Sequence, residues 1–154
     1  MAFFTDYTTL QATIANYLAR DDLTATIPEF IRLAEDRLAR DLRIREMLKI
    51  VTTTTTSADG TVEIPADFLA MKDLHISSTD PIQTVTFQSP SNFFRNTRAT
   101  ASGLPVFYTA LGQEFRFAPI PDTAYTLQML YYFKPAYMSS TVSSNLWLAN
   151  TPDL

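Results

Sequence analysis

The chain has 154 residues, of which 46% are hydrophobic and 12% aromatic, with a formal net charge of −4 and no cysteine. That is enough apolar material for one compact domain with a substantial core, and it excludes a wholly disordered chain, disulfides, thiol catalysis and cysteine-ligated zinc. The acidic balance argues against nucleic-acid binding, and no stretch approaches the roughly 18 apolar residues of a membrane span. The N-terminus lacks the basic and apolar regions of a signal peptide, so synthesis in the cytoplasm and no membrane partner are expected.

The first third predicts two helices. Thr8 and Gln11 have the spacing of a capping box, and Leu10, Ile14, Tyr17 and Leu18 then fall on one face. After the polar break at Arg20-Asp21-Asp22, Pro28 suits the first turn of a second helix. Its apolar stripe is Ile27, Ile31, Ala34, Leu38 and Leu42, flanked by Phe30 and Leu33 and thin at Ala34, where another helix could approach. Arg32/Asp36, Asp36/Arg40, Arg37/Asp41 and Asp41/Arg45 are i,i+4 pairs worth about 0.3 kcal/mol each if exposed. Two such helices with a short connection predict an antiparallel hairpin over residues 1–49.

From Ile50 the period changes from 3.6 to 2. The β-branched run Ile50 to Thr56, a turn at Asp59-Gly60 and a return strand Thr61–Ile64 read as a first hairpin. Further strands are expected at Leu74–Ser77, Thr84–Phe87, Val106–Leu111, Glu114–Ala118 and Tyr125–Phe133, with a hairpin turn at Gly112-Gln113. Ser89-Pro90-Ser91-Asn92 reads as the start of a short helix carrying Phe93 and Phe94. In the last strand Tyr125, Leu127, Met129, Tyr131 and Phe133 alternate onto one face. The opposite face, with Gln128, Leu130 and Tyr132, is less polar than an exposed face should be, which marks Tyr132 as an interface candidate. The fold class is therefore α+β: an N-terminal antiparallel helical hairpin, then a small antiparallel β-rich unit over residues 50–138. Residues 139–154 read as a polar loop and a tail carrying Leu146, Trp147 and Leu148, and Thr151-Pro152-Asp153 has the form of a helix start.

Catalytic chemistry finds little support. His75 is the only histidine and sits in a strand, where a satisfied or solvated side chain is the ordinary reading. No G-x-S-x-G surrounds a serine, and three scattered glycines cannot build a phosphate-cradling loop. Paired carboxylates for a hydrolase, about 5 to 10 Å apart, could come from Asp59/Glu63 or Asp67/Asp73. Asp59 is explained by its turn, however, and Asp67 suits a cap or Asx-turn. No enzyme, cofactor or metal is expected. The dense basic feature, with Arg32, Arg37, Arg40, Arg43, Arg45 and Lys49, reads either as a solvated helix face or as a polar surface between subunits. The three near its end suit the helix dipole. Leu146, Trp147 and Leu148 read either as an anchor for a partner pocket or as a tail folded onto the chain's own sheet.

Several segments in order carry a resemblance. They are Tyr7-Thr8-Thr9-Leu10 through Ile14 to Leu18 and Arg20 to Leu23, then Ile27-Pro28-Glu29-Phe30-Ile31 leading into RLAEDRLARDLRIREM from Arg32 to Met47. After these come Ile64-Pro65-Ala66-Asp67-Phe68-Leu69, Gly103-Leu104-Pro105 with Phe107-Tyr108, Phe117-Ala118-Pro119 with Pro121-Asp122, and Asn145-Leu146-Trp147-Leu148 before Pro152-Asp153-Leu154. Together these resemble the head-to-tail adaptor (connector) proteins of tailed bacteriophages, the short-tailed type especially.

The resemblance implies a virion structural protein of the neck. It would form a ring, commonly dodecameric, that joins the portal protein to a tail or nozzle protein and continues the DNA channel without binding DNA specifically. Such proteins usually continue into further helices after the segment matching Pro152-Asp153-Leu154, so part of the bundle is expected to be absent or supplied by a neighbouring subunit. The alternative from the residues alone is a β module that binds glycans or another tail protein through exposed Tyr and Trp. On either reading the interface candidates are Arg37, Arg40, Arg43, Arg45, Tyr132, Leu146, Trp147 and Leu148.

Overall fold

A computed structural model describes residues 6–20, 22–57, 59–96 and 101–150. The chain divides into a helical unit, Met1–Met47 with Lys134–Leu154, and a β unit, Leu48–Phe133. The architecture is α+β, with two N-terminal helices followed by largely antiparallel sheets.

In the helical unit, α1 spans Tyr7–Leu18 and α2 spans Ile27–Asp41. The capping box lies two residues before the expected one. The Asp6 carboxylate accepts from the Thr9 N–H at 2.8 Å, and the Thr9 hydroxyl accepts from the Asp6 N–H at 3.1 Å. A carboxylate at the positive end of the helix is favoured there, so Thr8 is drawn into the first turn. At the other end Ala19 takes the left-handed conformation, φ +49°, where glycine is the unstrained choice.

The buried face of α2 is Ile27, Ile31, Glu35 and Ala39. Only the first two belong to the predicted stripe, and Ala34, Leu38 and Leu42 remain exposed. The returning segment from Lys134 explains the shift. Lys134 Nζ reaches Asp36 Oδ1 at 2.7 Å, and the Tyr137 hydroxyl donates to the same oxygen. Arg32 lies over the Tyr137 ring, 4.6 Å from its centroid. Of the four local ion pairs expected on α2, Arg37–Asp41, at 3.6 Å, forms among the described residues. Asp36 has its partners in the returning segment instead. That segment ends in α4, Leu146–Asn150, where the tail carrying Trp147 was expected to be irregular. Asn145 caps it, accepting from the Trp147 N–H at 3.1 Å. Thr151-Pro152-Asp153 lies outside the described residues.

The β unit packs two four-stranded sheets against one shared core. β1 (Leu48–Thr54), β8 (Thr126–Phe133), β3 (Phe68–Ile76) and β4 (Gln83–Thr84) form one sheet in that order. The other runs β2 (Thr61–Glu63), β7 (Glu114–Ala118), β6 (Phe107–Leu111), β5 (Thr86–Phe87). Leu127, Met129 and Tyr131 of β8 point inward as their alternation predicts, and they meet Leu74 and Ile76 of β3 and Phe115 and Phe117 of β7. Phe68 stacks on both sides of this core, 5.4 Å from Phe115 and 5.5 Å from Tyr131.

The β6–β7 hairpin turns at Gly112-Gln113, with Gly112 at φ +63°. The expected β1–β2 hairpin does not form. Asp59 does hold a local bend through the Thr61 N–H and hydroxyl, but β1 pairs with β8 and β2 with β7. The chain changes sheets at this corner, as sandwich connections do. A similar change splits the expected Thr84–Phe87 strand around buried Val85, and β5 then pairs with β6 in parallel. The short helix α3, Pro90–Asn96, buries Phe93 and exposes Phe94.

Asp67 is not a cap. Its Oδ2 accepts from Lys49 Nζ at 2.7 Å and its Oδ1 from the Tyr131 hydroxyl at 2.8 Å, tying β1 and β8 to the turn before β3. Burial opposes its ionisation, but the two hydrogen bonds outweigh that and hold the carboxyl below the ordinary carboxylate range. The folded state thus holds this proton less tightly than the unfolded chain. The stabilisation is therefore present above the ordinary range and is lost as pH falls through the folded value.

Ala19→Gly raises stability by about 1 kcal/mol by relieving the left-handed cap, read as a higher urea midpoint at unchanged m-value. Tyr131→Phe lowers it by about 1–2 kcal/mol, and Asp67→Asn lowers it more at about pH 7 because Lys49 also loses its partner. Repeating the denaturation at about pH 3 should shrink the gap between wild type and Asp67→Asn; a gap that stays constant with pH would mean that the carboxylate is not ionised in this contact.

Candidate interaction surface

The residues that could have carried chemistry are engaged in structure. His75 Nε2 is 2.9 Å from Gln128 Oε1, its cross-strand neighbour on β8, and Nδ1 lies 3.7 Å from Asp73. Asp73 also accepts from the Leu74 N–H at 2.9 Å. With Asp59 in its bend and Asp67 bound to Lys49 and Tyr131, neither carboxylate pair faces across a cleft with both members free. Among the described residues no three His, Cys, Asp or Glu side chains come together to hold a metal ion, and no helix is long and apolar enough to cross a membrane.

Among the described residues the helical unit has an apolar groove of about 310 Å³. Leu10 and Ile14 of α1, Phe30, Ala34 and Leu38 of α2, and Met138, Trp147 and Leu148 of the returning segment form its walls. One polar residue lines it, Glu35, which is 5% exposed. Its Oε1 accepts from the Asn145 side-chain amide and from the Met138 N–H at 3.2 Å. Its Oε2 is buried with no hydrogen-bond partner. Burial pushes the Glu35 carboxyl above the ordinary range, against the two hydrogen bonds on Oε1 and the charge of Lys134. A buried carboxylate oxygen left unanswered is costly.

The interface candidates fall into several environments. The Arg37 side chain is 84% exposed, and Arg40 and Arg45 are also on the surface. Arg43 turns back on its own helix end, its Nη1 donating to the Ala39 carbonyl at 2.6 Å and the Leu42 carbonyl at 2.7 Å. This is the helix-dipole role that its position suggests, whereas Lys49 serves Asp67. Tyr132 is half-buried on the outward face of β8, opposite Leu48 and Ala70, and beside the Leu130–Ile50 pair in which Ile50 is 67% exposed.

Trp147 and Leu148 are only 8% and 7% exposed, and Leu146 is half-buried. Trp147 and Leu148 are groove walls within the helical unit, so what they can offer a partner is the shape of the groove and not a protruding anchor. Sequence reasoning passed over Glu35 because it sits in an alternating charged run. The signal available was its place four residues from both Ile31 and Ala39, on the helix's most regular apolar row.

The helical unit thus combines an apolar groove with exposed cations on α2, the helix that supplies part of its wall. No curated protein matches the sequence. A family model described as SU10 adaptor protein matches residues 5–154, nearly the whole chain, and the chain therefore belongs to that family of phage structural adaptors.

Proposed function

We propose that this adaptor forms a ring in the virion neck, joins the portal protein to a tail or nozzle protein, and continues the DNA channel between them. Membership of an adaptor family supports a structural role in the virion, in contact with other phage proteins. The observation that carries the assembly reading is the groove around Glu35. A helical unit that leaves an apolar slot of this size open gains stability when another subunit fills it.

Arg37, Arg40 and Arg45 offer exposed cations to carboxylates of a neighbour, and Tyr132 with Ile50 offers an apolar strip. The net charge of −4 suits a passive conduit, since an acidic surface repels phosphate and limits sticking. On this reading the protein is made in the host cytoplasm, has no catalytic role and acts only after it joins the particle.

Mixing the purified protein with the portal protein of the same virion and imaging the product by electron microscopy tests the proposal. A closed ring seated coaxially on the portal is expected, with dodecameric symmetry. A strict monomer that never joins a portal would sink it. Duplex DNA should show no retained complex at low salt. A complex that dissociates steeply as salt is added would instead reveal phosphate contacts and end the passive-channel reading.

A further inference from the structure

Both donors that reach the Glu35 carboxyl, the Met138 N–H and the Asn145 side-chain amide, meet Oε1, while Oε2 is buried without a partner. The charges around it do little to support an anion there. On α2, Asp36 opposes its ionisation, and Arg32 lies over the Tyr137 ring. On the returning segment Lys134 favours ionisation, but its amine is engaged by Asp36 and the Tyr137 hydroxyl. α1 and α4 carry no charged side chain, and the titratable groups of α1 are Tyr7 and Tyr17. A carboxyl so placed is best accommodated neutral, with Oε1 accepting both hydrogen bonds and the proton on Oε2. An unpaired hydroxyl there costs much less than an unpaired anionic oxygen.

The same side chain holds the returning segment to α2. Residues 134–145 form no helix or strand. Their described ties to α2 are Lys134 and Tyr137 on Asp36, the Tyr137 ring under Arg32, and Met138 and Asn145 on Glu35. The Ser143 carbonyl also accepts from the Tyr7 N–H of α1 at 2.7 Å. Asn145 then caps α4, which brings Trp147 and Leu148 into the wall of the groove.

We propose that Glu35 is a proton-controlled latch: neutral, it holds Met138 and Asn145 against α2, and on losing its proton to solvent it loosens that segment and the α4 wall of the groove. Ionisation calls for water at Oε2, which is buried, so the lining must part to admit it. The returning segment is the part most easily moved, because it lacks the backbone ladder that holds α2. Burial raises the Glu35 carboxyl above the ordinary range, so the folded state holds this proton more tightly than the unfolded chain. The latch is therefore closed below the ordinary carboxylate range and opens as pH rises through the folded value. Asp36 and Asp67 are both held below the ordinary range and act in the opposite sense. The signature of the latch is thus a difference between wild type and a variant at Glu35. It belongs to the helical unit of a single chain, so its failure leaves the ring reading untouched.

Trp147 is the chain's only tryptophan and a wall of the groove, so its emission and its quenching by acrylamide report on that wall. The full chain is followed from about pH 4 to about pH 8, alongside the carboxyl-carbon NMR shift of Glu35. The emission should move to longer wavelength and quenching should rise with the Glu35 titration, at a midpoint above the ordinary carboxylate range. Glu35→Gln keeps an oxygen for Met138 and Asn145 but cannot ionise. Its Trp147 signal should stay at the low-pH wild-type value throughout. It should also unfold at a higher temperature than wild type above the transition, and converge with wild type below it. A Glu35 carbon that titrates in the ordinary range overturns the proposal, and so does a Trp147 signal that does not move with it. These two wild-type titrations decide the matter even where the variant fails to fold. A folded Glu35→Gln that opens with pH as wild type does overturns the proposal as well.

Discussion

Two adjacent carboxylates on α2 hold the helical unit together by catching a segment about a hundred residues further along the chain. Asp36 takes Lys134 and the Tyr137 hydroxyl, and Glu35 takes Asn145 and the Met138 N–H. These contacts decide which face of α2 is buried. Drawing Glu35 inward puts Ile27, Ile31 and Ala39 in the interior and leaves Ala34 and Leu38 on the groove. They also start α4. The Asn145 amide donates to Glu35 and to the Ala136 carbonyl, while its oxygen accepts from the first-turn N–H groups of α4. An aspartate could make the second set of bonds but would lose the donors of the first and oppose Glu35.

The carboxylates of the two units are treated differently. Asp67 in the β unit has a partner on each oxygen, Lys49 on one and Tyr131 on the other. Glu35 has two partners on one oxygen and none on the other. Among the described residues the other buried side-chain atoms without a hydrogen bond are Gln88 Oε1 and Thr109 Oγ1, both on neutral groups. An unanswered neutral acceptor is tolerable, whereas an unanswered carboxylate oxygen is the more expensive defect. Departures from internal consistency tend to mark functional places, and Glu35 is the polar residue in the lining of the groove.

What was legible in the sequence was local. The alternation of β8, the Gly112-Gln113 hairpin, Pro28 in the first turn of α2 and the short helix carrying Phe93 all follow from residues within one element. What was not legible depended on partners elsewhere. β1 and β2 looked like a hairpin because Asp59-Gly60 lies between them, yet β8 and β7 offered each a partner backed by the core. The capping box moved because Asp6 outcompetes Thr8. The face of α2 turned because Glu35 and Asp36 find donors in a segment that by itself reads as loop and tail. Counting apolar residues ranked Ala34 and Leu38 above Glu35, and hydrogen bonds reversed that order.

Along α2 the surroundings of a side chain follow its angle: Ile27, Ile31 and Ala39 face the interior, Phe30, Ala34 and Leu38 face the groove, and Leu33 and Arg37 are exposed on the row that Phe30 begins. A change on the inner arc therefore acts on folding, whereas a change at Ala34 or Leu38 acts first on the shape of the groove.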